Sequence, residues 1–296
     1  MALTDDMSSL AEETPVREFS PTTVKRIPTG VADLDGIVRG GFPSGSTVLL
    51  WGDVGAGAQE FVYTSACKLA LARAQPLVKR FRLGGVADGA YLPEHICYVT
   101  FARSREIVLR ELATSFNPDF FFAFRDLTVF KDFSSSYFRN TVIPSAWTQQ
   151  ESTFESKTTN ILEELVDFLD ENGRGAMVVI DSLTDLVETE TVEMKDLVAT
   201  LKGLQRASKS WDGLVYLILA RGILDKKYEQ MIMDSVDGCL VFEWKHYLTS
   251  SKRQRYMYVE KFTSVLPRLP GGKIARFPTM VTYNGGLEVF NFERIV

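Results

Sequence analysis

The sequence has few of the residues from which metal sites and disulfide frameworks are built. Its 296 residues include three cysteines and two histidines, and none of these has a partner at the ligand spacing of a zinc site. We therefore predict no bound metal, and we expect Cys67, Cys97 and Cys239 to be buried thiols in a reducing cytoplasm.

Long apolar runs are also missing. No stretch approaches the roughly 20 apolar residues of a membrane span. The N-terminus lacks the basic start and the apolar segment that mark a secretory leader. Together these absences predict a cytoplasmic protein that does not enter a membrane.

Positive charge is in slight deficit, since the formal net charge is −5. This acidity disfavours sequence-independent binding to nucleic acid, although it does not exclude a local basic groove. Two basic runs, Lys79–Arg82 and Lys252–Arg255, would suit a nucleic acid or an acidic protein partner. Solvated loop charge is the more common interpretation of such runs.

The order of the segments predicts the fold class. Residues 1–24 are polar and acidic without an apolar period, which predicts a flexible tail, and residues 25–296 form the domain. An apolar run at 47–51 predicts a buried strand, followed by a glycine-rich turn and a helix over 60–74. Strands and helices then alternate, and strands alone follow from Gly238. This predicts an α/β fold with a mainly parallel central sheet, flanked by helices and extended by antiparallel C-terminal strands.

Three segments carry finer expectations. The connection 75–94 is longer than the roughly 2–6 residues usual in α/β units, which predicts an inserted loop or hairpin. Residues 134–152 are rich in serine, threonine and aromatic residues and are expected to be irregular. Five phenylalanines between Phe116 and Phe124 form either a docking surface or, as is more usual, part of the local core.

Several motifs resemble those of KaiC-like proteins, a branch of the RecA superfamily of ATPases. The resemblance spans about residues 25–292 and implies a RecA-like P-loop NTPase core. It also implies that nucleotide would lie between neighbouring subunits of a ring or filament. The motifs that carry it are Arg26-Ile27-Pro28-Thr29-Gly30, Leu34-Asp35, Gly40-Gly41-Phe42-Pro43-Ser44-Gly45-Ser46, Val178-Val179-Ile180-Asp181-Ser182, Ser235-Val236-Asp237-Gly238 and Asn284-Gly285-Gly286-Leu287-Glu288-Val289.

The phosphate-binding loop departs from the pattern G-x-x-x-x-G-K-[ST]. In that pattern backbone amides cradle the phosphates, the lysine neutralises them and the hydroxyl holds Mg²⁺. Here Gly52, Gly55 and Gly57 are kept, but Ala58 stands at the lysine position and Gln59 at the hydroxyl position. An amide is a poor ligand for Mg²⁺, so the resemblance implies a vestige of the nucleotide site.

Two further positions depart from the family pattern. Ala102 and Arg103 align with the paired glutamates that activate water in the family, so no general base is left there. Thr263 aligns with the arginine of a Lys-x-Arg motif that reaches a neighbouring subunit's γ-phosphate, while Lys261 is kept. The resemblance therefore implies the loss of several catalytic groups.

Asp181 is kept at the position where the family orients water on Mg²⁺. Arg103 and Asp181 follow the C-terminal ends of strands that are neighbours in this fold. We therefore predict an ion pair between them that fills the space of the missing metal and glutamates. A separation well beyond about 4 Å would exclude this pair.

These substitutions predict a non-hydrolysing pseudo-ATPase with a regulatory, signal-transduction or scaffolding role, of the kind that archaeal relatives of the family suggest. The expected partner is a protein, either further copies of this chain or other RecA-like subunits. A recombination-type accessory protein that binds DNA is one alternative. The other is a nucleotide sensor or weak ATPase with displaced groups such as Lys261 or Lys68. No cofactor is expected, although ATP or ADP with Mg²⁺ stays possible.

Overall fold

A computed structural model describes residues 24–79, 83–138, 141–144, 147, 160–189, 192–246, 253–269 and 276–290. The tail predicted over residues 1–24 therefore lies outside the described residues, apart from Val24. In the part of the chain that is described, no helix has the length and apolar character needed to cross a membrane.

The strands form one large sheet and one small ribbon. The ribbon pairs two short strands, β1 (Arg26–Ile27) and β2 (Phe42–Pro43), and brings the entry segment against the domain. The large sheet contains β3 (Ser46–Gly52), β4 (His95–Thr100), β5 (Thr128–Asp132), β6 (Ala176–Asp181), β7 (Leu214–Ala220), β8 (Gly238–His246), β9 (Arg253–Phe262), β10 (Phe277–Thr282) and β11 (Gly286–Val289).

The sheet order is β11-β10-β9-β8-β3-β7-β6-β4-β5. All pairs from β8 to β5 are parallel, whereas β8–β9, β9–β10 and β10–β11 are antiparallel. The predicted mainly parallel sheet with an antiparallel C-terminal extension is therefore confirmed. Strands such as β3 and β6 read as continuous apolar runs because helices cover both of their faces.

The helices lie on the two faces of this sheet. One face carries α1 to α4, and the other carries α6 to α9, and each face has its own cluster of buried apolar side chains. The helices of the described residues are α1 (Ala32–Ile37), α2 (Ala58–Ala74), α3 (Arg105–Ser115), α4 (Pro118–Leu127), α5 (Ser134–Phe138), α6 (Ile161–Asn172), α7 (Leu183–Glu188), α8 (Met194–Trp211) and α9 (Lys226–Asp234).

The structure differs in part from the expectations for the segments 75–94 and 134–152. The connection after α2 contains two short 3₁₀ helices, Pro76–Val78 and Gly84–Gly89, and its described residues form no hairpin. The expectation of irregular structure over 134–152 is wrong at its start, because residues 134–138 form α5. Most of the remainder of that segment lies outside the described residues.

The aromatic cluster is mainly core, as expected. Phe116, Phe120 and Phe124 are fully buried, whereas Phe122, on the same helix as Phe120 and Phe124, is half exposed. The three cysteines are also buried and free, as predicted. Burial raises the pKa of Cys97 and of Cys239 to about 12, so both thiols stay protonated and unreactive near neutral pH.

Asp35 is a buried carboxyl group that joins the entry segment to α1. It accepts hydrogen bonds from the Thr29 amide at 2.7 Å and the Gly30 amide at 3.0 Å. Burial raises the pKa of Asp35 from 3.8 to about 7, against the opposing effect of these bonds and of the Lys68 charge. Between those two pH values the folded chain therefore holds a proton that the unfolded chain releases.

We expect this group to make the protein less stable as the pH rises from 5 to 8. Its contribution is fully present below pH ~4 and is lost as the pH passes about 7, and about 2–3 kcal/mol of the loss falls between pH 5 and pH 8. Urea denaturation at the two pH values measures it. Asp35→Asn should flatten the profile, whereas Asp33→Asn, at an exposed position of α1, should keep the wild-type slope. Equal slopes in all three proteins would contradict the expectation.

Candidate functional site

The glycine loop joins the end of β3 to the start of α2. Gly57 is the N-cap residue of α2, and no side chain caps this end of the helix. Gly55 and Gly57 have φ of +73° and +122°, values that favour glycine. The first amides of an α-helix have no acceptor within the helix, so the loop keeps a backbone cradle of the kind that binds anions.

Packing also accounts for two of the three glycines. A Cβ on Gly52 would collide with the carbonyl oxygen of Phe242 on the neighbouring strand β8, and one on Gly57 would lie 3.1 Å from Leu287 Cδ1. A Cβ at position 55 would meet open space, so only the positive φ favours glycine there. Gly52 and Gly57 are thus needed for the fold whether or not a phosphate binds.

The loop is held by contacts to β8 and to the segment after β7. The Asp53 amide donates to Phe242 O at 2.9 Å, and the Asp53 carboxylate accepts from the Trp244 amide at 3.0 Å. Trp244 Nε1 donates to Val54 O at 3.2 Å, and Arg221 Nη1 lies 3.7 Å from the second Asp53 oxygen. The Asp53 carboxylate therefore anchors the loop to β8 and to the segment after β7.

Asp181, at the end of β6, is the centre of a hydrogen-bond network. Its Oδ2 accepts from Tyr98 Oη at 2.7 Å and from Gln59 Nε2 at 3.2 Å, and it forms an ion pair with Arg103 Nη2. The Asp181 side chain is only 5% exposed. The predicted ion pair between Arg103 and Asp181 is confirmed. It forms because β4 and β6 are adjacent, with Thr100 in register with Asp181.

A second group of contacts holds Arg103 from the other side. Arg103 Nη1 lies 2.7 Å from Glu111 Oε2 on α3 and 3.2 Å from Tyr63 Oη on α2. Tyr63 Oη in turn donates to Glu111 Oε2 at 2.8 Å. Arg103 thus bridges the two carboxylates, Asp181 and Glu111, and the network ties α2 and α3 to β6.

Tyr98 and Arg103 have the protonation states that their contacts with Asp181 require. Burial, reinforced by the Asp181 charge, raises the pKa of Tyr98 well above its usual value, so its hydroxyl remains a neutral donor. Burial alone would lower the pKa of Arg103, but Asp181, the two tyrosines and Glu111 together raise it. Arg103 therefore stays charged at any accessible pH.

A cavity of about 350 Å³ lies between the glycine loop and the ends of β6 and β7. Four carboxylates line it, and Arg103 is the one cationic residue among the lining residues. The lining acids are Asp53, Glu60, Asp181 and Asp185. Within the described part of the chain no cluster of histidine, cysteine and acidic side chains is arranged to hold a metal ion.

The groups that line this cavity do not fit a magnesium nucleotide. Ala58 presents a methyl group at the start of α2, Gln59 donates its amide to Asp181, and Asp181 already accepts from three donors. A triphosphate would meet four carboxylates and no lysine. We therefore derive no chemical step through ATP or Mg²⁺ at this site.

The other predicted site residues lie elsewhere. Lys261, on β9, donates to the carbonyls of Met233 at 2.9 Å and Val236 at 2.7 Å, and it also contacts Asp234 O at the end of α9. Thr263 is exposed in the turn after β9. Neither residue lines the cavity of its own chain. Lys68 is buried on α2, where its charge acts on Asp35.

Sequence reasoning missed Tyr98, Tyr63 and Glu111. Tyr98 lies in an apolar run of β4, which does not suggest a polar role. Thr100 is in register with Asp181, and Tyr98, two residues earlier, lies on the same face of β4 as Thr100. Glu111 lies on α3, nearly two helical turns from its start, in a segment whose sequence is typical of a surface helix.

Comparison with known proteins identifies the fold. No protein-family model matches the sequence, and no curated protein matches it. The KaiC-like protein PH0186 from Pyrococcus horikoshii has a similar structure, with a TM-score of 0.61 and 19% identity over 90% of this chain and 100% of that one. The flagellar accessory protein FlaH from Methanocaldococcus jannaschii gives a TM-score of 0.58 and 14% identity, over 90% and 99%. The chain therefore has the RecA-like fold that its motifs imply.

Proposed function

We propose that this chain is a non-hydrolysing member of the RecA-like fold that acts as a regulatory or scaffolding protein. The observation that carries the proposal is the engagement of Asp181 by Arg103, Tyr98 and Gln59. In a working site this carboxylate would serve a metal ion. Here the Arg103 guanidinium and two neutral donors, Tyr98 and Gln59, occupy one of its oxygens, Oδ2.

The energetics favour this arrangement over a metal-bound one. A cation at the same oxygen would have to displace Arg103, which would then lose its main counter-charge while remaining largely enclosed. The missing lysine removes a charged contact to phosphate that is worth about 1.5–3 kcal/mol. Three of the four lining carboxylates, Asp53, Glu60 and Asp181, are each paired with an arginine, so the cavity has no surplus positive charge to attract a polyanion.

The regulatory role is supported by what remains of the domain. The sheet and the glycine loop are intact, and FlaH, one of the similar structures, is described as an accessory protein. In this proposal the domain acts through the surfaces by which RecA-like domains meet protein partners. The partner in this proposal is another RecA-like subunit, from the same chain or from an active relative.

Calorimetric titration with ATP and ADP, with and without Mg²⁺, tests the proposal. We expect no Mg²⁺-dependent binding and no phosphate release above a blank without protein. Thermal unfolding of the same sample is the control for folded protein. Turnover that is abolished by Asp181→Ala would overturn the proposal.

A nucleotide sensor is the second candidate, and the backbone cradle at Gly55 and Gly57 favours it. The cradle could hold phosphates through amides alone, without the lysine. Submicromolar binding of ATP or ADP without turnover would establish this function in place of a nucleotide-free scaffold. Binding that is independent of Mg²⁺ would fit the occupied Asp181.

A further inference from the structure

Two neighbouring helices on one face of the sheet, α6 and α8, carry opposite charges. Both bury apolar side chains in the same core cluster, to which Leu165 and Leu201 belong. Gly173, the C-cap residue of α6, packs against the ring of Trp211, the last residue of α8. Each helix leads into one of the adjacent parallel strands β6 and β7, so the two helices run side by side in the same direction.

The outward face of α6 is acidic. The helix contains five carboxylates and no cation. They are Glu163, Glu164, Asp167, Asp170 and Glu171. All but the half-buried Glu164 are exposed, and among the described residues none of the five has a cation within salt-bridge distance. Val166, which lies within this stripe, is 47% exposed.

The outward face of α8 is basic. Its cations fall on one exposed stripe at helical spacing, and Asp196 is the one carboxylate of the helix. They are Lys195, Lys202, Arg206 and Lys209. The first is paired with Glu193 and the last with Asp237. Lys202 and Arg206 have no carboxylate within salt-bridge distance in the part of the chain that the structure describes.

The opposite charges stand at matching heights along the two helices. Heights can be measured from the contact between the two C-terminal ends, at about 1.5 Å per residue. Asp167 and Arg206 then lie about 9 Å and about 7.5 Å from this contact, and Glu163 and Lys202 lie about 15 Å and about 13.5 Å from it. The side chains point outward from adjacent helices, so they are left for a partner to neutralise.

A second copy of the chain can neutralise both stripes at once. A two-fold axis at the surface, parallel to the helices and midway between them, places α6 of each copy on α8 of the other and keeps the heights unchanged. Glu163 then faces the partner's Lys202, and Asp167 faces the partner's Arg206. An axis perpendicular to the helices would instead set α6 on α6 and α8 on α8, where like charges repel. Charge therefore selects the first arrangement.

We infer that the chain forms a two-fold symmetric dimer through α6 and α8. The exposed Val166 on the acidic stripe and the exposed Ala199 on the basic stripe let the helices approach between the charged pairs. A partner of one sign of charge would satisfy only one of the two helices. Neither helix contributes to the lining of the Asp181 cavity, so this dimer is a further property of the chain and does not depend on the proposed function.

Sedimentation velocity of the full chain at increasing NaCl concentration tests the dimer. We expect dimer at ~0.1 M NaCl and a shift to monomer at ~1 M, because the screening length falls from about 10 Å to about 3 Å. The variants Glu163→Lys/Asp167→Lys and Lys202→Glu/Arg206→Glu each place like charges in both contacts. Each should therefore dimerise at least about tenfold more weakly than the wild type.

An equimolar mixture of these two variants separates lost pairing from lost folding. In a mixed dimer the reversed α6 of one chain meets the reversed α8 of the other, and the two unaltered helices meet each other. Opposite charges then face each other in both contacts, so the mixture should form a dimer again. Mixing would not repair a defect in the fold of either variant.

The matched control is Glu106→Lys/Glu260→Lys, which makes the same charge change as the α6 variant at exposed positions outside the two helices. It should dimerise like the wild type. A wild-type chain that is monomeric at ~100 μM would overturn the inference, because a complex with a dissociation constant of ~10 μM is mostly assembled at that concentration. A dimer that persists in both double variants, equal weakening in the control, or a mixture that stays monomeric would also overturn it.

Discussion

Replacing Arg103 by alanine is expected to lower the free energy of unfolding by about 3 kcal/mol. The change leaves the buried Asp181 carboxylate without a cation, and breaking a buried pair in this way costs about 3–5 kcal/mol. The lower end of that range applies because the Arg103 side chain is 28% exposed and solvent screens part of the interaction. Urea denaturation at pH 7 measures the loss.

Arg110→Ala is the matched control, since Arg110 lies on α3 and is exposed. Its effect should stay within about 0.5 kcal/mol. A double-mutant cycle with Asp181→Ala should give a coupling energy of about 1.5 kcal/mol or more between the two residues. If Arg103→Ala is no more destabilising than Arg110→Ala, the ion pair does not stabilise the site, and Arg103 does not act in place of a metal cation.

Gly52→Ala is expected to be the most damaging small substitution in the glycine loop. The new methyl group would collide with the Phe242 carbonyl, and its Cβ would lie 2.7 Å from the Phe242 Cβ. The parallel pairing of β3 with β8 would have to open at its end, at a cost of about 3 kcal/mol or more. The free energy of unfolding or, if the variant does not accumulate, the yield of folded protein measures this.

Gly203→Ala on α8 is the control, because nothing lies within 4 Å of the added Cβ. In a helix interior this change should stabilise the protein by about 0.5–1 kcal/mol. If Gly52→Ala costs less than about 1 kcal/mol, packing does not explain why glycine stands there. Close approach of a phosphate to the backbone would then be the better explanation, and the calorimetric titration would be expected to detect nucleotide.

The sequence was sufficient to predict the sheet because its central strands are short apolar runs, as at Thr47–Trp51, which lies between Gly45 and Gly52. It was less informative for α4, where consecutive phenylalanines hide the helical period. The Asn117–Pro118 start, with an Asn117 side chain that caps the helix, is the signal that identifies this element. α7, only six residues long, has too few turns to show a period.

The same contrast holds within the site. The Arg103–Asp181 pair could be predicted because both residues follow adjacent parallel strands. Tyr63 and Glu111 could not, because their positions depend on how α2 and α3 pack together, which no local pattern specifies. The role of Gln59 was likewise hidden: its substitution is visible in the sequence, but its hydrogen bonds to Tyr98 and Asp181 are not.

The convergence of three donors on one Asp181 oxygen has an evolutionary consequence. Changing Gln59 alone leaves Arg103 and Tyr98 in place, so the oxygen stays occupied. Changing Arg103 alone leaves an uncompensated buried charge before any new ligand can bind. A mutational route that replaces Arg103 before the other metal ligands are restored therefore passes through a less stable intermediate. Selection for fold stability acts against that order of changes.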